Sequence, residues 1–318
     1  MNLISDYPPQ LTIVAPCYNE EEILSYSHPK LANVIDSLIR KNKVSGESHI
    51  VFVDDGSEDN TWNLLVGITE KFERVRAIKL SRNYGHQSAI LSGMFHSQGD
   101  IVITVDVDLQ DDLNAIEKMV DAYHAGFEIV IGVRLERNSD TFFKKYTALL
   151  FYRIMDLLGT PVVYNHADFR LLSRRVINHI REMTETNLFL RGVIPSLGFN
   201  KTKVYYNRNE RVLGKTKYTL PKMVKLALDG VTSFSIFPLY FVLGLGMFVS
   251  VGSIFCSIWV LVVKFIIKKA IPGWASTLLP VYFIGGVQLI CLGVVGIYVA
   301  KIYMETKRRP HYIIETIK

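Results

Sequence analysis

Ile101-Val102-Ile103-Thr104-Val105-Asp106-Val107-Asp108-Leu109-Gln110 runs from strand-length apolar sequence straight into carboxylates. A short Val/Ile-rich run of this kind predicts a buried strand, and the acidic residues mark the point where it reaches solvent. Four similar runs stand at Leu11 to Ala15, Ile50 to Val53, Val75 to Leu80 and Glu128 to Val133. Between them the apolar residues take helical spacing, as in Ile35, Leu38 and Ile39, then Leu64, Leu65 and Ile68. Buried strands alternating with helices predict an α/β chain with a doubly wound, mainly parallel sheet. Ligands of such sheets bind at the carboxyl ends of the strands, and there this chain places Asp54-Asp55 and Asp106-Val107-Asp108.

In an extended segment, residues two apart point the same way. Asp106, Asp108 and the amide of Gln110 are therefore expected to converge as hard oxygen donors suited to Mg²⁺ or Mn²⁺. The plainer alternative is an acidic loop that caps the next helix through Asp111 or Asp112. In Asp54-Asp55-Gly56-Ser57-Glu58-Asp59, Gly56 permits a tight turn and Ser57 or Asp59 can cap a helix. That leaves a carboxylate able to accept hydrogen bonds from a base or ribose. Arg134 and Arg137 follow the fifth run, where a guanidinium fork would suit a phosphate; a solvated arginine is the alternative reading. His86 is assigned to loop shaping, since no second histidine sits at metal-ligand spacing.

Hydrophobic residues make up 49% of the 318, and the mean hydropathy of +0.21 is high for a wholly soluble chain. The excess lies near the C-terminal end. Phe237 to Val263 and Ala270 to Ala300 contain no charged residue, and each exceeds the roughly 20 residues a helix needs to cross a bilayer core. With Pro272-Gly273 between them they predict a two-helix membrane hairpin. Lysines and arginines flank it on both outer sides, which by the positive-inside tendency puts both ends in the cytoplasm, although Lys264, Lys268 and Lys269 in the turn weaken the asymmetry. The net charge of +6 and pI near 9.0 suit phosphorylated substrates or anionic lipid. Nucleic acid is not expected, because the basic residues flank the apolar runs. Gly286, Gly293 and Gly296 fall near one helical face and would allow close packing in the hairpin or in a homo-oligomer. The beginning of the chain lacks a signal-peptide pattern, and the three cysteines form no disulfide framework. The expected organisation is a cytoplasmic catalytic domain at 1–215, an amphipathic juxtamembrane helix at 216–235, two transmembrane helices within 236–303 and a tail at 304–318, all at the inner (plasma) membrane.

Several stretches together resemble glycosyltransferase family 2. They are Pro16-Cys17-Tyr18-Asn19-Glu20-Glu21, Val53-Asp54-Asp55-Gly56-Ser57, Ser81-Arg82-Asn83-Tyr84-Gly85-His86 and Asp106-Val107-Asp108-Leu109-Gln110-Asp111. Asp168-Phe169-Arg170, then Arg211 with Gly214-Lys215-Thr216-Lys217, narrow the likeness to the polyprenyl-phosphate glycosyltransferases, the bacterial bactoprenol glucosyltransferases above all. The resemblance covers nearly the whole chain. It implies a GT-A fold and inverting transfer of a hexose, glucose by likeness, from a nucleotide sugar (UDP by likeness) to polyprenyl phosphate for cell-envelope glycans. It also implies roles for residues. Pro16, Tyr18, Glu20, Asp55 and Asp106 would hold the nucleotide sugar. Asp106, Asp108 and Gln110 would hold the metal and diphosphate. Asp168 corresponds to the catalytic aspartate. Arg211, Lys215 and Lys217 would face phosphates, with Arg134 and Arg137 as further candidates. His166-Ala167 and Leu113-Asn114 depart from the usual family residues.

A leaving diphosphate gains negative charge as the glycosidic bond breaks, which a divalent cation can stabilise. A phosphate monoester acceptor, with a second pKa of about 6, is mostly dianionic at neutral pH. A base then has little proton to remove, and Asp168 is expected to position the acceptor or metal; an ion pair with Arg170 or another arginine is the structural alternative. A membrane scaffold or sensor that binds nucleotide sugar without turnover is the competing class, and the presence of Asp108, Gln110 and Asp168 together argues against it. A processive polysaccharide synthase would call for more spans.

Overall fold

The computed structural model describes residues 7–135, 166–183, 185, 188, 190–207, 237–262 and 274–318. The chain divides into two compact units. The first comprises Met1–Met223 together with Arg309–Lys318, and the second Val224–Arg308.

The first unit is built on one eight-stranded sheet. Its strands are β1 (Leu11–Cys17), β2 (His49–Asp54), β3 (Val75–Leu80), β4 (Ile101–Thr104), β5 (Ile129–Arg134), β6 (His166–Ser173), β7 (Lys201–Tyr206) and β8 (Ile314–Ile317), in the order β7-β5-β6-β4-β1-β2-β3-β8. The pairs β1–β2, β1–β4, β2–β3 and β5–β7 are parallel. Parallel neighbours need a crossover, usually a helix. Here these include α1 (Glu21–Arg40), α2 (Thr61–Lys71) and α3 (His86–His96), with α4 (Asn114–His124) leading from β4 to β5. Every residue of β1, β2 and β4 is buried, as expected of strands covered on both faces. The α1 face that meets the sheet carries Ile23, Leu24, Leu31, Ile35 and Leu38. On the other face α3 approaches closely at Gly93, where an added Cβ would fall 2.3 Å from a methyl of Val14.

The five expected strands are present, and Lys201–Tyr206 adds the strand β7, parallel to β5. Two strands were not expected, β6 and β8, and both run antiparallel to their neighbours. β6 lies between β4 and β5 with Thr104 opposite Arg170. Its first residues therefore lie at the same sheet edge as the carboxyl end of β4. The hydroxyl of Ser173 then caps α5 (Arg174–Glu182) by accepting the N–H of Val176 at 3.3 Å. α6 (Leu190–Ser196) follows.

β8 comes from the segment expected only as a tail. It closes the edge of β3, with Lys318 and Ala77 exchanging backbone hydrogen bonds of 2.8 and 2.9 Å and Glu315 paired to Lys79 at 3.1 Å. Covering an edge strand in this way removes a row of open backbone groups.

The second unit contains α7 (Phe237–Val262) and α8 (Trp274–Thr306). Both expose large apolar side chains, among them Phe248 and Phe255 on α7 and Leu289 and Leu292 on α8. Among the described residues one stretch, Phe283–Thr306, is a 24-residue helix long and apolar enough to cross a membrane, and the matching stretch of α7, Leu239–Val249, is shorter. The expected turn between the two spans, and the amphipathic helix expected at 216–235, lie outside the described residues.

Candidate active site

The sheet order reverses direction between β1 and its neighbours β2 and β4, which makes a crevice at the carboxyl ends of these strands. The loops that follow β1, β2 and β3 are stitched together there. The N–H of Asp55 donates to the carbonyl of Cys17 at 2.9 Å. The N–H of Asn19, a residue with φ +52°, donates to the Ser57 hydroxyl, and its side-chain oxygen accepts the N–H of Glu58, both at 2.9 Å. The N–H of Glu20 donates to the Thr61 hydroxyl at 2.9 Å. The carboxylate of Asp55 is buried and accepts the backbone N–H of Tyr84 at 2.7 Å and of Gly85 at 2.9 Å. Gly56 allows this approach: it has φ +67°, and a Cβ there would stand 2.4 Å from the carbonyl carbon of Arg82. Burial raises the pKa of Asp55, and the two amides work against that rise.

Of the residues expected to meet a nucleotide, Pro16 is buried in β1, and Tyr18 and Glu20 are half-buried in the loop after it. The side chain of Asp54 is fully buried, with Oδ1 accepting the N–H of Ser57 at 3.2 Å and Oδ2 without a hydrogen-bond partner among the described residues.

The acidic segment after β4 differs from its expected geometry. The strand stops at Thr104, and a turn follows in which the N–H of Leu109 donates to the carbonyl of Asp106 at 3.1 Å. Leu109 takes φ +49°, and Asp108 Oδ1 accepts the N–H of Gln110 at 3.3 Å. The alternation survives the turn: Val107 and Leu109 are buried, Asp106 and Asp108 half exposed. Gln110, expected as a ligand beside them, is only 5% exposed.

Asp168, 8% exposed, is the hub of the neighbouring cluster. Its backbone carbonyl accepts the hydroxyl of Thr104. Its carboxylate pairs with Arg170 through Oδ1, and with Arg191 from Nε to Oδ1 at 3.3 Å and from Nη2 to Oδ2 at 2.8 Å. Nε2 of His86 stands 3.6 Å from Asp168 Oδ2 and 3.4 Å from Asp106 Oδ1. Burial would raise the Asp168 pKa, but the charges of Arg191 and Arg170, with His86, hold it well below the usual carboxylate range. Burial likewise opposes charge on His86, yet the Asp168 hydrogen bond and the charges of Asp106 and Asp168 raise its pKa to about 9. The carboxyl of Asp106 is pushed up by burial, and further by Asp111, Asp168 and Asp108, with His86 pulling the other way.

Arg134, expected to face a phosphate, is engaged from within the fold. Its Nε and Nη2 donate to Asp111 Oδ1 at 3.2 and 3.0 Å, and the Tyr206 hydroxyl donates to the same oxygen at 2.7 Å. Asp111 is buried, so this is an ion pair of the interior and not a helix cap. Arg137, Arg211, Lys215 and Lys217 lie outside the described residues.

Sequence reasoning gave His86 only a loop-shaping role and assigned Arg191 none. Nothing in the local spacing of either residue signals its position. His86 opens α3 and Arg191 lies in α6, and only the antiparallel placement of β6 brings both to Asp168.

Among the described residues no three His, Cys, Asp or Glu side chains gather as a metal-ligand cluster. A Mg²⁺-type ion is ordinarily held by one or two carboxylates with substrate phosphates and water completing its shell. Asp106 and Asp108, both half exposed in the turn after β4, fit that kind of site.

Residues 12–181 match the profile of Glycosyl transferase family 2. The chain belongs to this family. Relatives match along almost its whole length. The glycosyltransferase YkoT of Bacillus subtilis is 44% identical, covering 96% of this chain and 91% of its own. The bactoprenol glucosyl transferase of Shigella phage SfX is 36% identical, covering 97% of this chain and 100% of its own. The prophage bactoprenol glucosyl transferase homolog of Escherichia coli is 36% identical at 97% and 99% coverage. A solved glucosyl-3-phosphoglycerate synthase from Mycobacterium tuberculosis is 16% identical, covers 70% of this chain and 76% of its own, and superposes with a TM-score of 0.48. The family 2 glycosyltransferase described here has the mostly parallel GT-A sheet that its motifs led one to expect.

Proposed function

We propose that this glycosyltransferase carries a hexose, glucose in the first instance, from a nucleotide sugar, UDP-linked in the first instance, to polyprenyl phosphate, with inversion at the anomeric carbon. The observation that carries this reading is the full-length likeness to bactoprenol glucosyl transferases, which runs through α7 and α8 as well as the catalytic sheet. An acceptor that cannot leave the bilayer explains why such helices accompany the enzyme.

The stitched loops after β1, β2 and β3 would receive the nucleotide, with Pro16, Tyr18 and Glu20 on one side and Asp55 fixing the other. Asp106 and Asp108, with Gln110 behind them, would hold Mg²⁺ or Mn²⁺ against the diphosphate. When bound, such an ion would stabilise the negative charge of the leaving group. Asp168 serves as a positioning group in this reading. A general base works best with a pKa near the operating pH, whereas arginines grip both Asp168 oxygens and hold its pKa far below that range.

Chain connectivity supports a location at the membrane with two crossings. The catalytic unit contains residues from both sides of the helical unit, and β8 pairs with β3. A folded sheet stays on one side of a bilayer, so the segment between must cross an even number of times. The Phe283–Thr306 stretch of α8 is long and apolar enough for one crossing, and the 26-residue α7, about 39 Å at 1.5 Å per residue, would serve as the other. The catalytic unit would then face the cytoplasm, where nucleotide sugars are found.

The test is incubation of the purified full chain with undecaprenyl phosphate, Mg²⁺ or Mn²⁺ and a panel of nucleotide sugars, with glycolipid product followed by mass spectrometry. Product from a UDP-hexose is expected. Absence of product from every donor would favour a nucleotide-sugar binder without turnover.

A further inference from the structure

We propose that Tyr206 is a positioning residue for the transfer reaction: it braces the acidic turn after β4 against the strand that carries Asp168. The inference rests on the metal reading above and adds to it a residue that acts through others.

Three observations carry it. First, the turn needs support from outside. Leu109 takes φ +49°, a left-handed conformation that persists in a residue with a side chain only where the surroundings over-determine it. The far end of the turn is held by β5 and β7. Asp111 follows Gln110 directly and is 1% exposed, and its Oδ1 accepts the Tyr206 hydroxyl at 2.7 Å and Nη2 of Arg134 at 3.0 Å. Nε of Arg134 also donates to the hydroxyl oxygen, at 3.3 Å. The hydrogen of that hydroxyl is thereby directed at Asp111. Second, the same side chain reaches the other acid-bearing element. Tyr206 ends β7, two strands away from β6, yet its ring meets that of Phe169 edge-on, with centroids 5.3 Å apart and planes at 85°. Phe169 is buried and adjoins Asp168 in β6. Third, the strand between makes room. A Cβ built on Gly132 of β5 would lie 3.0 Å from Cε1 of Tyr206 and 2.7 Å from the carbonyl oxygen of Phe169. The ring crosses β5 where that strand has no side chain. One buried tyrosine, with its hydroxyl on the acidic turn and its ring on β6, thus sets the spacing between Asp106–Asp108 and Asp168. Groups behind metal ligands orient those ligands, and a displacement of about 1 Å in an active site can cost about 100-fold in rate.

Mn²⁺ binding to the full-length protein in detergent is measured by electron paramagnetic resonance with UDP present, and transfer is assayed alongside. Y206F removes the hydroxyl and keeps the ring. Ile35→Val, on the α1 face against the sheet, is the control for lost stability alone. In Y206F the Mn²⁺ dissociation constant should rise about tenfold, the lower end of what losing a partner behind a metal ligand costs, while Ile35→Val keeps the wild-type value. Because Tyr206 acts through Asp111, D111N and the D111N/Y206F double variant should bind Mn²⁺ equally. If Y206F binds Mn²⁺ within about twofold of wild type, Tyr206 is a core side chain only and the proposal is overturned. Full additivity of the two substitutions overturns it as well. Should Y206F fail to fold, F169L, which takes away the ring that Tyr206 bears on and spares the hydroxyl, decides by the same twofold criterion. A wild type that binds no Mn²⁺ removes the ion from the proposed function and the brace with it, whereas wild-type binding beside an unchanged Y206F overturns the brace alone.

Discussion

The buried carboxylate of Asp55 accepts the backbone N–H of Tyr84 at 2.7 Å, and with its second oxygen that of Gly85. An acid just after β2 thus anchors the loop between β3 and α3, and the first residue of α3, His86, stands between Asp106 and Asp168. Next to it, Gly56 leaves room for the backbone of Arg82. The Asp55 side and the Asp168 side of the crevice are joined through this loop.

Substitution at this anchor is therefore expected to cost both stability and activity. Asp55→Ala leaves two part-buried N–H groups without their acceptors, up to about 1–3 kcal/mol for each. Gly56→Ala adds a Cβ at positive φ against backbone, with strain of about 1–3 kcal/mol before the clash is counted. Denaturant titration of the full chain should show both losses, and the KM for nucleotide sugar should rise in whichever variant stays folded. An unchanged midpoint for Gly56→Ala would mean that the loop can move aside.

Asp168→Asn removes the charge that pairs with Arg191 and Arg170. Transfer is expected to fall by about 10³-fold or more, in the range seen when an essential polar group of an active site is lost. The residual rate should keep the wild-type pH dependence, since no proton is being abstracted. Recovery of rate as pH rises would instead identify Asp168 as a base.

Chelation should abolish transfer, and either Mg²⁺ or Mn²⁺ should restore it if Asp106 and Asp108 hold the ion. Asp108→Asn is expected to shift the restoring metal concentration upward while leaving the thermal midpoint close to wild type, because Asp108 is half exposed. Turnover untouched by chelators would remove the ion from the proposed function.

Two histidines of the sheet unit set an acid limit on stability. His28 packs against Phe72 at 4.4 Å between ring centroids, and His49 is buried beside Thr12. Burial lowers the pKa of both from the usual 6.5. The unfolded chain then binds protons more readily than the folded one between those depressed values and 6.5, so stability falls as pH drops through that window. Melting temperatures measured from pH 6.5 down to pH 5 should decline, and less steeply in His28→Leu. An equal slope in the variant would place the acid sensitivity elsewhere.

Removal of the C-terminal strand is expected to uncover β3. A chain ending at residue 311 loses the backbone pairs of Ala77 and Ser81 and the Lys79–Glu315 ion pair. The exposed edge should promote self-association, visible as larger species in light scattering at a temperature where the full chain stays dispersed. No change in either melting or scattering would show that β8 adds nothing to the sheet.

Periodicity and composition determined most of the scaffold by themselves. The runs that became β1 to β5 are apolar because parallel strands are covered on both faces, and such runs are visible one residue at a time. The same holds for the uncharged stretches that became α7 and α8, and for Asp54-Asp55 and Asp106 to Gln110 at strand ends. What the tertiary structure alone decided was which distant residues meet. β6 inserts antiparallel between β4 and β5, and this carries Asp168 to Thr104, some sixty residues earlier, and with it Arg170 and Arg191. β8 returns from beyond the helical unit to close β3. Arg134, a phosphate candidate by its place after the fifth run, is held by Asp111 and Tyr206, partners no local pattern signals. Strand order and long-range ion pairs depend on the packing of the whole sheet, where each partner's burial is set by residues far away in the chain, and no local pattern encodes that.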